Sequence, residues 1–327
     1  MRCFLLICSF IARWQIGMTQ LPEVATALSE VTELAERPER LSSNNETTIH
    51  FTLKGGLILL EAGLESTMDS FLLDTGAPSL FLNSSEIQKN ENSVQAIGIT
   101  GDLLLEELII PELRMNNLVQ EDIAGYKIDI QHLEKIKRCR MGGIIGQDLI
   151  KNHEVFIDYK NQVLKLLDPK SVELEEKMHL VEKIPFKMEG HFAVMKLKIG
   201  KKEYSFGIDT GSEANVLDRK LKRKLKRYYK RKGTVGVNGL DKNRSSSIEV
   251  AINQLFMGQQ EIEKMPFLIS NLSSINAAYD ASLDGLLGFP FLKQFPFSIN
   301  YEDQNLYIWE YGQSQSEKEA FLMMNGE

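Results

Sequence analysis

Cysteine, histidine and long apolar runs are all scarce in this chain of 327 residues. Two of its three cysteines fall in the first eight residues, so only Cys139 lies in the body of the chain and no disulfide is expected there. The five histidines are scattered, without a pair at metal-ligand spacing. No apolar run reaches the ~18 residues that a transmembrane helix needs. The sequence therefore argues against disulfide scaffolds, zinc fingers and metal hydrolases, and it predicts neither a metal ion nor another cofactor.

Composition and charge further narrow the possible classes of protein. Hydrophobic residues make up 43% of the chain, which is enough to bury a core. The formal net charge of −7 argues against nucleic acid as the main partner. The length is typical of two domains or of two lobes of one enzyme.

The first 17 residues allow two interpretations. Arg2 precedes an apolar run from Cys3 to Ala12, as in the core of a signal peptide. This predicts a leader over residues 1–17 and a secreted, extracytoplasmic or membrane-attached protein. The alternative is a cytoplasmic protein whose translation starts at Met18.

Residues 18–47 are predicted to form a helix and a linker, and residues 313–327 a polar tail. Apolar residues recur every three to four positions from Val24 to Leu34, and Pro38 ends the pattern. The segment is interpreted either as a spacer or as a pro-segment that covers an active site.

The body of the chain contains an internal duplication. Each copy has an apolar strand that runs into an Asp-Thr-Gly turn. The turn residues are Asp74, Thr75, Gly76 and Ala77 in the first copy and Asp209, Thr210, Gly211 and Ser212 in the second. A Gly-apolar-apolar-Gly motif follows in each copy, at Gly143, Ile144, Ile145 and Gly146 and at Gly285, Leu286, Leu287 and Gly288. A tyrosine, Tyr159 or Tyr301, lies 13 residues after the last glycine.

Short apolar or alternating runs, broken by Gly, Asn and Asp, predict many strands and little helix. The predicted strands are Ile49–Leu60, Ser70–Leu73, Leu103–Ile110, Val155–Ile157, Val163–Leu167, Phe192–Ile199, Tyr204–Ile208, Ile248–Ile252, Phe267–Ile269, Phe297–Ile299 and Leu306–Trp309. This pattern favours an all-β fold with two tandem β-barrel lobes. We expect the lobes to span residues 48–172 and 173–312.

With both motifs in each copy, residues 48–310 resemble the aspartic protease superfamily. Pepsin-like members carry two lobes in one chain, and retroviral-type members use two identical subunits. The resemblance implies acid-protease lobes related by a pseudo-twofold axis, with Asp74 and Asp209 as the catalytic pair. It also implies that Thr75 and Thr210 link the loops across the axis, and that Ile144-Ile145-Gly146 and Leu286-Leu287-Gly288 pack under them.

The residue that follows the Asp-Thr-Gly sequence differs between the copies. Ala77 is typical of retroviral-type enzymes, whereas the serine at Ser212 is typical of pepsin-like ones. A Ser212 hydroxyl that donates to the neighbouring carboxylate would favour its charged form. We therefore expect Asp209 to be the ionised member and Asp74 the protonated one, within a pair that titrates as a unit.

Two glycine pairs follow the Asp-Thr-Gly turns at similar distances and are candidates for the tips of mobile hairpins, here called flaps. They are Gly98 and Gly101 in the first copy and Gly236 and Gly239 in the second. Glycine tolerates the positive φ angles of hairpin tips. The alternative is a pair of ordinary surface turns.

Residues 219–232 contain ten Lys or Arg and no acidic residue. Leu217, Leu221, Leu225 and Tyr228 have helical spacing, so the segment is predicted to form a basic amphipathic helix. It is interpreted as a solvated face or as a site for an acidic partner or an anionic membrane surface.

Together these features predict a monomeric aspartic endopeptidase that cleaves polypeptides. The alternative is a catalytically silent protein of the same fold that binds peptides or acts as a scaffold. The pair of aspartates favours the enzyme, because burying two adjacent carboxylates is costly for a mere binding module.

Overall fold

The structure, a computed structural model, describes residues 3–5, 46–64, 67–87, 93–97, 102–239 and 244–312. Most of the predicted leader (1–17) and nearly all of the predicted helix and linker (18–47) lie outside these ranges. The predicted tail (313–327) lies outside them entirely.

Strands account for most of the described residues, which confirms the all-β class. Up to residue 172 the described strands are β1 (Cys3–Leu5), β2 (Thr47–His50), β3 (Thr52–Lys54), β4 (Leu57–Leu64), β5 (Thr67–Leu73), β6 (Leu80–Asn83), β7 (Ser93–Ile97), β8 (Asp102–Met115), β9 (Leu118–Ile128), β10 (Gly143–Ile145), β11 (Glu154–Asp158) and β12 (Val163–Leu167). After residue 172 they are β13 (Met178–Glu189), β14 (Phe192–Ile199), β15 (Lys202–Ile208), β16 (Val216–Asp218), β17 (Tyr229–Asn238), β18 (Arg244–Ile252), β19 (Leu255–Met257), β20 (Gln260–Ile262), β21 (Met265–Ser270), β22 (Gly285–Leu287), β23 (Phe297–Asn300) and β24 (Asn305–Tyr311).

The described helices are short. They are α1 (Gln131–Lys137), α2 (Glu173–Lys177), α3 (Ser273–Ala278), α4 (Phe289–Leu292) and the 3-10 helices Gln147–Leu149 and Arg219–Leu221. Within the described ranges, no helix combines the length and apolar character needed to cross a membrane.

The same strand pairing occurs twice. In the first repeat, β2 to β12, strand β10 runs parallel to β5 with Gly143 opposite Phe71, and it pairs antiparallel with β6. In the second repeat, β13 to β24, strand β22 runs parallel to β15 with Gly285 opposite Phe206, and it pairs antiparallel with β16. A Cβ atom at Gly143 or Gly285 would overlap a carbonyl oxygen of the neighbouring strand. Only glycine therefore permits this close approach.

One sheet joins the two repeats. Strands β11 and β23 pair antiparallel with Val155 opposite Ile299, and the sheet continues in the order β13-β24-β23-β11-β12-β2. Strand β1 pairs parallel with the end of β17. Because both repeats contribute strands to one sheet, the lobe boundary between residues 172 and 173 stays a prediction from sequence.

The largest apolar core also draws on both repeats. It contains Ile145 and Tyr159 from the first repeat and Leu287 and Phe297 from the second, all buried. Each repeat has a smaller core of its own as well. Full burial of one large apolar side chain contributes about 1.5–3 kcal/mol. The shared core therefore fixes the strands that carry the two Asp-Thr-Gly turns relative to each other.

The predicted basic helix over residues 219–232 is wrong. A 3-10 helix ends at Leu221, turns follow, and β17 begins at Tyr229. Leu221 and Leu225 are buried, as the apolar spacing suggested, but all ten cationic residues are exposed. On a helix these cations would repel one another at positions three and four apart. The backbone instead buries the leucines through turns and then joins the sheet.

Candidate active site

Each Asp-Thr-Gly turn follows the end of a buried strand. Asp74 comes directly after β5 and Asp209 directly after β15. The Asp74 amide donates to the Ile145 carbonyl at 2.9 Å, and the Asp209 amide donates to the Leu287 carbonyl at 3.0 Å. The Gly-apolar-apolar-Gly motif, here called the second motif of each repeat, thus holds the start of each Asp-Thr-Gly loop. The two loops are called the first loop (Asp74–Ala77) and the second loop (Asp209–Ser212).

The residues after the second motif hold the other end of each loop. Gln147 donates its amide to the Ala77 carbonyl at 2.8 Å, and Phe289 donates its amide to the Ser212 carbonyl at 2.9 Å. A Cβ atom at Gly146 would meet backbone atoms of Ala77 and of Ser79, and one at Gly288 would meet those of Ser212 and of Ala214. The glycines therefore let the motif lie directly against the loop.

Two threonines connect the loops reciprocally. The Thr75 amide donates to Thr210 Oγ1 at 3.0 Å, and the Thr210 amide donates to Thr75 Oγ1 at 3.1 Å. Each hydroxyl in turn donates to the strand that precedes the opposite loop, Thr75 to the Ile208 carbonyl and Thr210 to the Leu73 carbonyl. Both threonines are buried. Four buried hydrogen bonds thus hold the loops at one relative position.

This link places the two carboxyl groups side by side. Asp74 and Asp209 are fully buried, and the carboxyl groups of both lie against Gly76. A Cβ atom on Gly76 would lie 3.0 Å from the Asp209 carboxyl and 3.1 Å from Asp74 Oδ1. Gly211 is crowded against the Asp74 carboxyl in the same way. Glycine at both positions therefore leaves the space that the two carboxyl groups occupy.

The pKa of Asp74 is raised well above its ordinary value. Burial is the largest cause, and repulsion from the Asp209 carboxylate adds to it. Hydrogen bonds from the amides of Gly76 and Gly211 act in the opposite direction, the first at 2.8 Å to Asp74 Oδ1. A proton is therefore retained on this pair at pH values where an exposed aspartate is ionised.

Ser212 does not play the role expected from sequence. Its hydroxyl donates to the Ala214 carbonyl at 2.6 Å, two residues further along. The expected bond to the Asp209 carboxylate is absent because this nearby backbone acceptor takes the hydroxyl hydrogen. The Ser212 hydroxyl, which Ala77 lacks, thus holds the backbone that follows the second loop.

A side chain that no sequence motif marks reaches the first loop. His191, in the turn between β13 and β14, has its Nε2 atom 2.6 Å from the Gly76 carbonyl oxygen. The repeat itself carries a signal for this residue. His191 follows Gly56 by 135 positions, the separation of Asp74 and Asp209, so both residues occupy equivalent turns.

The second loop receives a different contact from the opposite repeat. Lys137, at the end of α1, forms an ion pair with Glu213, the residue after Ser212. The side chains of Lys137 and Glu213 are only 10% and 5% exposed. This buried pair lies against Gly55, in the turn between β3 and β4. The first repeat therefore supports the second loop through charge.

The first predicted flap tip falls in a hairpin connection. Strands β7 and β8 pair antiparallel, and Ile97 lies opposite Asp102 at their end. Gly98 and Gly101 belong to the connection between them and lie outside the described residues. The backbone of β7 lies against α3 of the second repeat.

The second predicted flap tip is shifted along the chain. Gly236 lies inside β17 opposite Ser246, because the ladder between β17 and β18 continues to Asn238. The prediction that Gly236 forms a tip is therefore wrong. Gly239 follows β17 directly, and its carbonyl oxygen lies 3.1 Å from Nε2 of His132 in α1.

Comparison with known protein families gives a match to part of the chain. Residues 195–291 match a family model described as aspartyl protease. This match supports a protease function in general. The matched range covers less than a third of the chain. It includes Asp209 and the second motif of the second repeat but does not include Asp74. No curated protein matches the chain. Within the described residues, no group of three or more His, Cys, Asp or Glu side chains could hold a metal ion.

Proposed function

We propose that this protein is an aspartic endopeptidase whose two lobes lie in one chain and whose catalytic pair is Asp74 and Asp209. The observation that carries the proposal is that both buried carboxyl groups lie against Gly76, in loops joined by the reciprocal Thr75 and Thr210 bonds. The family match to the second repeat supports it independently. The substrate is a polypeptide, and a monomer suffices because one chain supplies both aspartates.

The pair shares one proton, because two carboxylates this close do not both ionise. The raised pKa of Asp74 favours it as the protonated member, which leaves Asp209 as the base. In the first step, Asp209 accepts a proton from water while the water oxygen bonds to the peptide carbonyl carbon. The proton of Asp74 moves to the carbonyl oxygen, and a neutral tetrahedral diol results.

In the second step the diol collapses. The bond between carbon and nitrogen breaks, and the proton that Asp209 accepted moves to the leaving amine nitrogen. One hydroxyl proton returns to Asp74, which leaves a carboxylic acid product. The pair recovers its starting state, and no covalent enzyme intermediate forms.

The hairpins that follow the loops are proposed as the flaps of the substrate cleft. The backbone of β7 lies against α3 of the second repeat, and Gly239 lies against His132 of the first repeat. Each hairpin therefore contacts the opposite repeat, as expected of elements that close over a cleft between the two. Opening of such hairpins would admit a polypeptide chain.

The test is cleavage of a reduced and alkylated, unfolded protein at several pH values, followed by mass spectrometry of the products. We expect internal cleavage that pepstatin, a mimic of the tetrahedral intermediate, inhibits. Asp74→Asn and Asp209→Asn should each abolish cleavage, whereas Asp280→Asn should not. Asp280 is a matched control because it is exposed, and its φ of +48° suits asparagine.

Two outcomes would contradict the proposal. Cleavage that survives either active-site substitution would exclude the shared-proton mechanism. Tight peptide binding without any cleavage by the wild-type chain would favour the silent binding protein instead.

A further inference from the structure

The first loop is held by a histidine that the proposed reaction does not use. His191 is buried, 8% exposed, and its Nε2 lies 2.6 Å from the Gly76 carbonyl oxygen. A carbonyl oxygen only accepts hydrogen bonds, so Nε2 carries the hydrogen and donates it. The contact joins residues that are 115 positions apart and belong to different repeats.

The ring of His191 is fixed on both sides by aromatic side chains. Its centroid lies 4.3 Å from that of Phe192 and 4.3 Å from that of Tyr279, the latter with an interplanar angle of 75°. The preceding residue, Gly190, has a φ of +60°, and a Cβ atom there would meet the Tyr279 ring. The turn that carries His191 is thus packed against the residue after α3, and these contacts restrict the orientation of the imidazole.

The imidazole is neutral over most of the pH range. Burial lowers the pKa of His191 to about 4, while the bond to the Gly76 carbonyl acts weakly in the opposite direction. A positive charge near the pair would favour ionisation of both aspartates, and the neutral imidazole adds no such charge. His191 therefore supplies a directed hydrogen bond without disturbing the shared proton of the pair.

Gly76 is the residue on which this bond acts. Its amide donates to Asp74 Oδ1 at 2.8 Å, and its carbonyl accepts from His191. Glycine has wide conformational freedom, so two fixed ends are needed to hold it in one conformation. Movement of Gly76 would move the donor that orients the Asp74 carboxyl.

We propose that His191 is a positioning residue that locks the first loop and thereby orients Asp74 for catalysis. The proposal rests on the proposed function, since it assigns a role in the same site. His191 does not touch the substrate or the attacking water in this account. It acts through Gly76, and its aromatic neighbours make the contact specific.

The equivalent position in the first repeat has no such side chain. Gly56 replaces the histidine there, and the ring of Phe289 fills the space beside it. The second loop is instead supported by the ion pair of Lys137 and Glu213. The histidine is therefore not a general requirement of the duplicated framework but a feature of the first loop.

The test compares His191→Gln with His191→Phe in steady-state cleavage. Glutamine places an N–H donor near the position of Nε2, whereas phenylalanine keeps the ring volume without a donor. We expect His191→Phe to lower kcat about 10- to 100-fold with little change in KM, and His191→Gln to stay close to wild type. Equal kcat values in His191→Phe and wild type, or equal losses in both variants, would overturn the proposal.

Hydrogen exchange keeps the proposal testable if the wild-type chain does not cleave peptides or if His191→Phe folds poorly. In His191→Gln the amides of residues 75–77 should exchange as slowly as in the wild type, and in a folded His191→Phe they should exchange faster. In the wild-type chain itself, NMR should show a neutral His191 with hydrogen on Nε2 at pH 6. A His191 that titrates near 6.5, or equal exchange in folded forms of both variants, would contradict the role whether or not the chain is a protease.

Discussion

The first and second loops share their backbone support but receive different side chains from the opposite repeat. Each loop is held by its second motif and by the reciprocal threonine bonds. The first loop is then fixed by a neutral hydrogen bond from His191, and the second by the buried ion pair of Lys137 and Glu213. The backbone hydrogen bonds of the motifs therefore define the framework that both loops share, whereas the side chains that reach each loop from the opposite repeat differ.

Two of the supporting side chains lie at equivalent positions of the two repeats. Lys137 and Tyr279 lie 142 positions apart, the separation of Tyr159 and Tyr301, so they occupy equivalent positions. Lys137 is the last residue of α1, and Tyr279 is the first residue after α3. One of them supplies charge to the second loop, and the other supplies an aromatic wall to His191. Equivalent positions thus carry an ion-pairing side chain in one repeat and an aromatic side chain in the other.

Removal of the buried cation should have the largest effect on stability. Lys137→Met takes away the ion-pair partner of Glu213, whose side chain is 5% exposed. Loss of one partner of a buried pair costs about 3–5 kcal/mol of unfolding free energy. Urea denaturation measures the change. Lys151→Met, which breaks an exposed pair with Asp148, is the control and should cost less than about 1 kcal/mol. Equal costs in the two variants would show that the second loop does not depend on this pair.

Loss of a threonine hydroxyl should affect both loops alike. Thr75→Ala leaves the buried Thr210 amide and the Ile208 carbonyl without their partner. We expect a loss of about 2–4 kcal/mol, since each buried polar group left unsatisfied costs about 1–3 kcal/mol. Thr210→Ala should give a similar value, and Thr75→Ser should restore most of the stability. A large difference between the two alanine variants in thermal or urea unfolding would break the equivalence of the loops.

The sequence predicted the strands best where apolar residues are continuous. The predicted strands Val163–Leu167 and Phe192–Ile199 agree with β12 and β14 at both ends. The predicted strand Ile49–Leu60 is instead divided into β2, β3 and the start of β4. The break between β3 and β4 arises because Gly55 and Gly56 turn the chain with positive φ angles. Local apolar pattern thus predicts a strand, but a turn inside it depends on backbone angles that the pattern does not encode.

Polar strands and contacts between repeats were harder to predict. Strand β9 (Leu118–Ile128) was missed because most of its residues are only partly buried and its pattern is weak. The Asp74 and Asp209 motifs could be predicted because the same short pattern, an apolar strand followed by Asp-Thr-Gly, occurs in both copies. His191 was missed because its partner is a backbone carbonyl 115 positions away, and a carbonyl has no signature in sequence.

Acid should weaken the support of the first loop through His191. Its pKa of about 4 in the folded protein is lower than the ordinary value of 6.5, so the unfolded chain binds a proton more readily. The contribution to unfolding free energy is therefore lost as the pH falls from about 6.5 to about 4, by about 3 kcal/mol in all. The raised pKa of Asp74 has the opposite sign, since its contribution is lost as the pH rises.

Comparison of wild type with His191→Gln isolates the histidine, because Asp74 is present in both. Urea denaturation at pH 7, 5.5 and 4 should show a steeper loss of stability in the wild type than in the variant. Parallel pH profiles would contradict a buried, neutral His191.

The smallest effect is expected at the exposed basic segment, residues 219–232, which the first repeat lacks. Substitution of Lys222, Arg223, Lys226 and Arg227 by glutamine leaves the buried Leu221 and Leu225 in place. We expect cleavage of an unfolded substrate to change less than about twofold at low and at high salt, since we interpret this run of charges as a solvated face. A large, salt-dependent loss of turnover would instead indicate that this segment attracts an acidic partner or substrate.

The most direct measurement of the central claim is a double-mutant cycle on the cleavage rate with Asp74→Asn and Asp209→Asn. If the two carboxyl groups act on one water as a single unit, each substitution alone should reduce kcat by at least about a thousandfold, and the double variant should lose little more. Additive losses, or appreciable turnover in either single variant, would contradict the account.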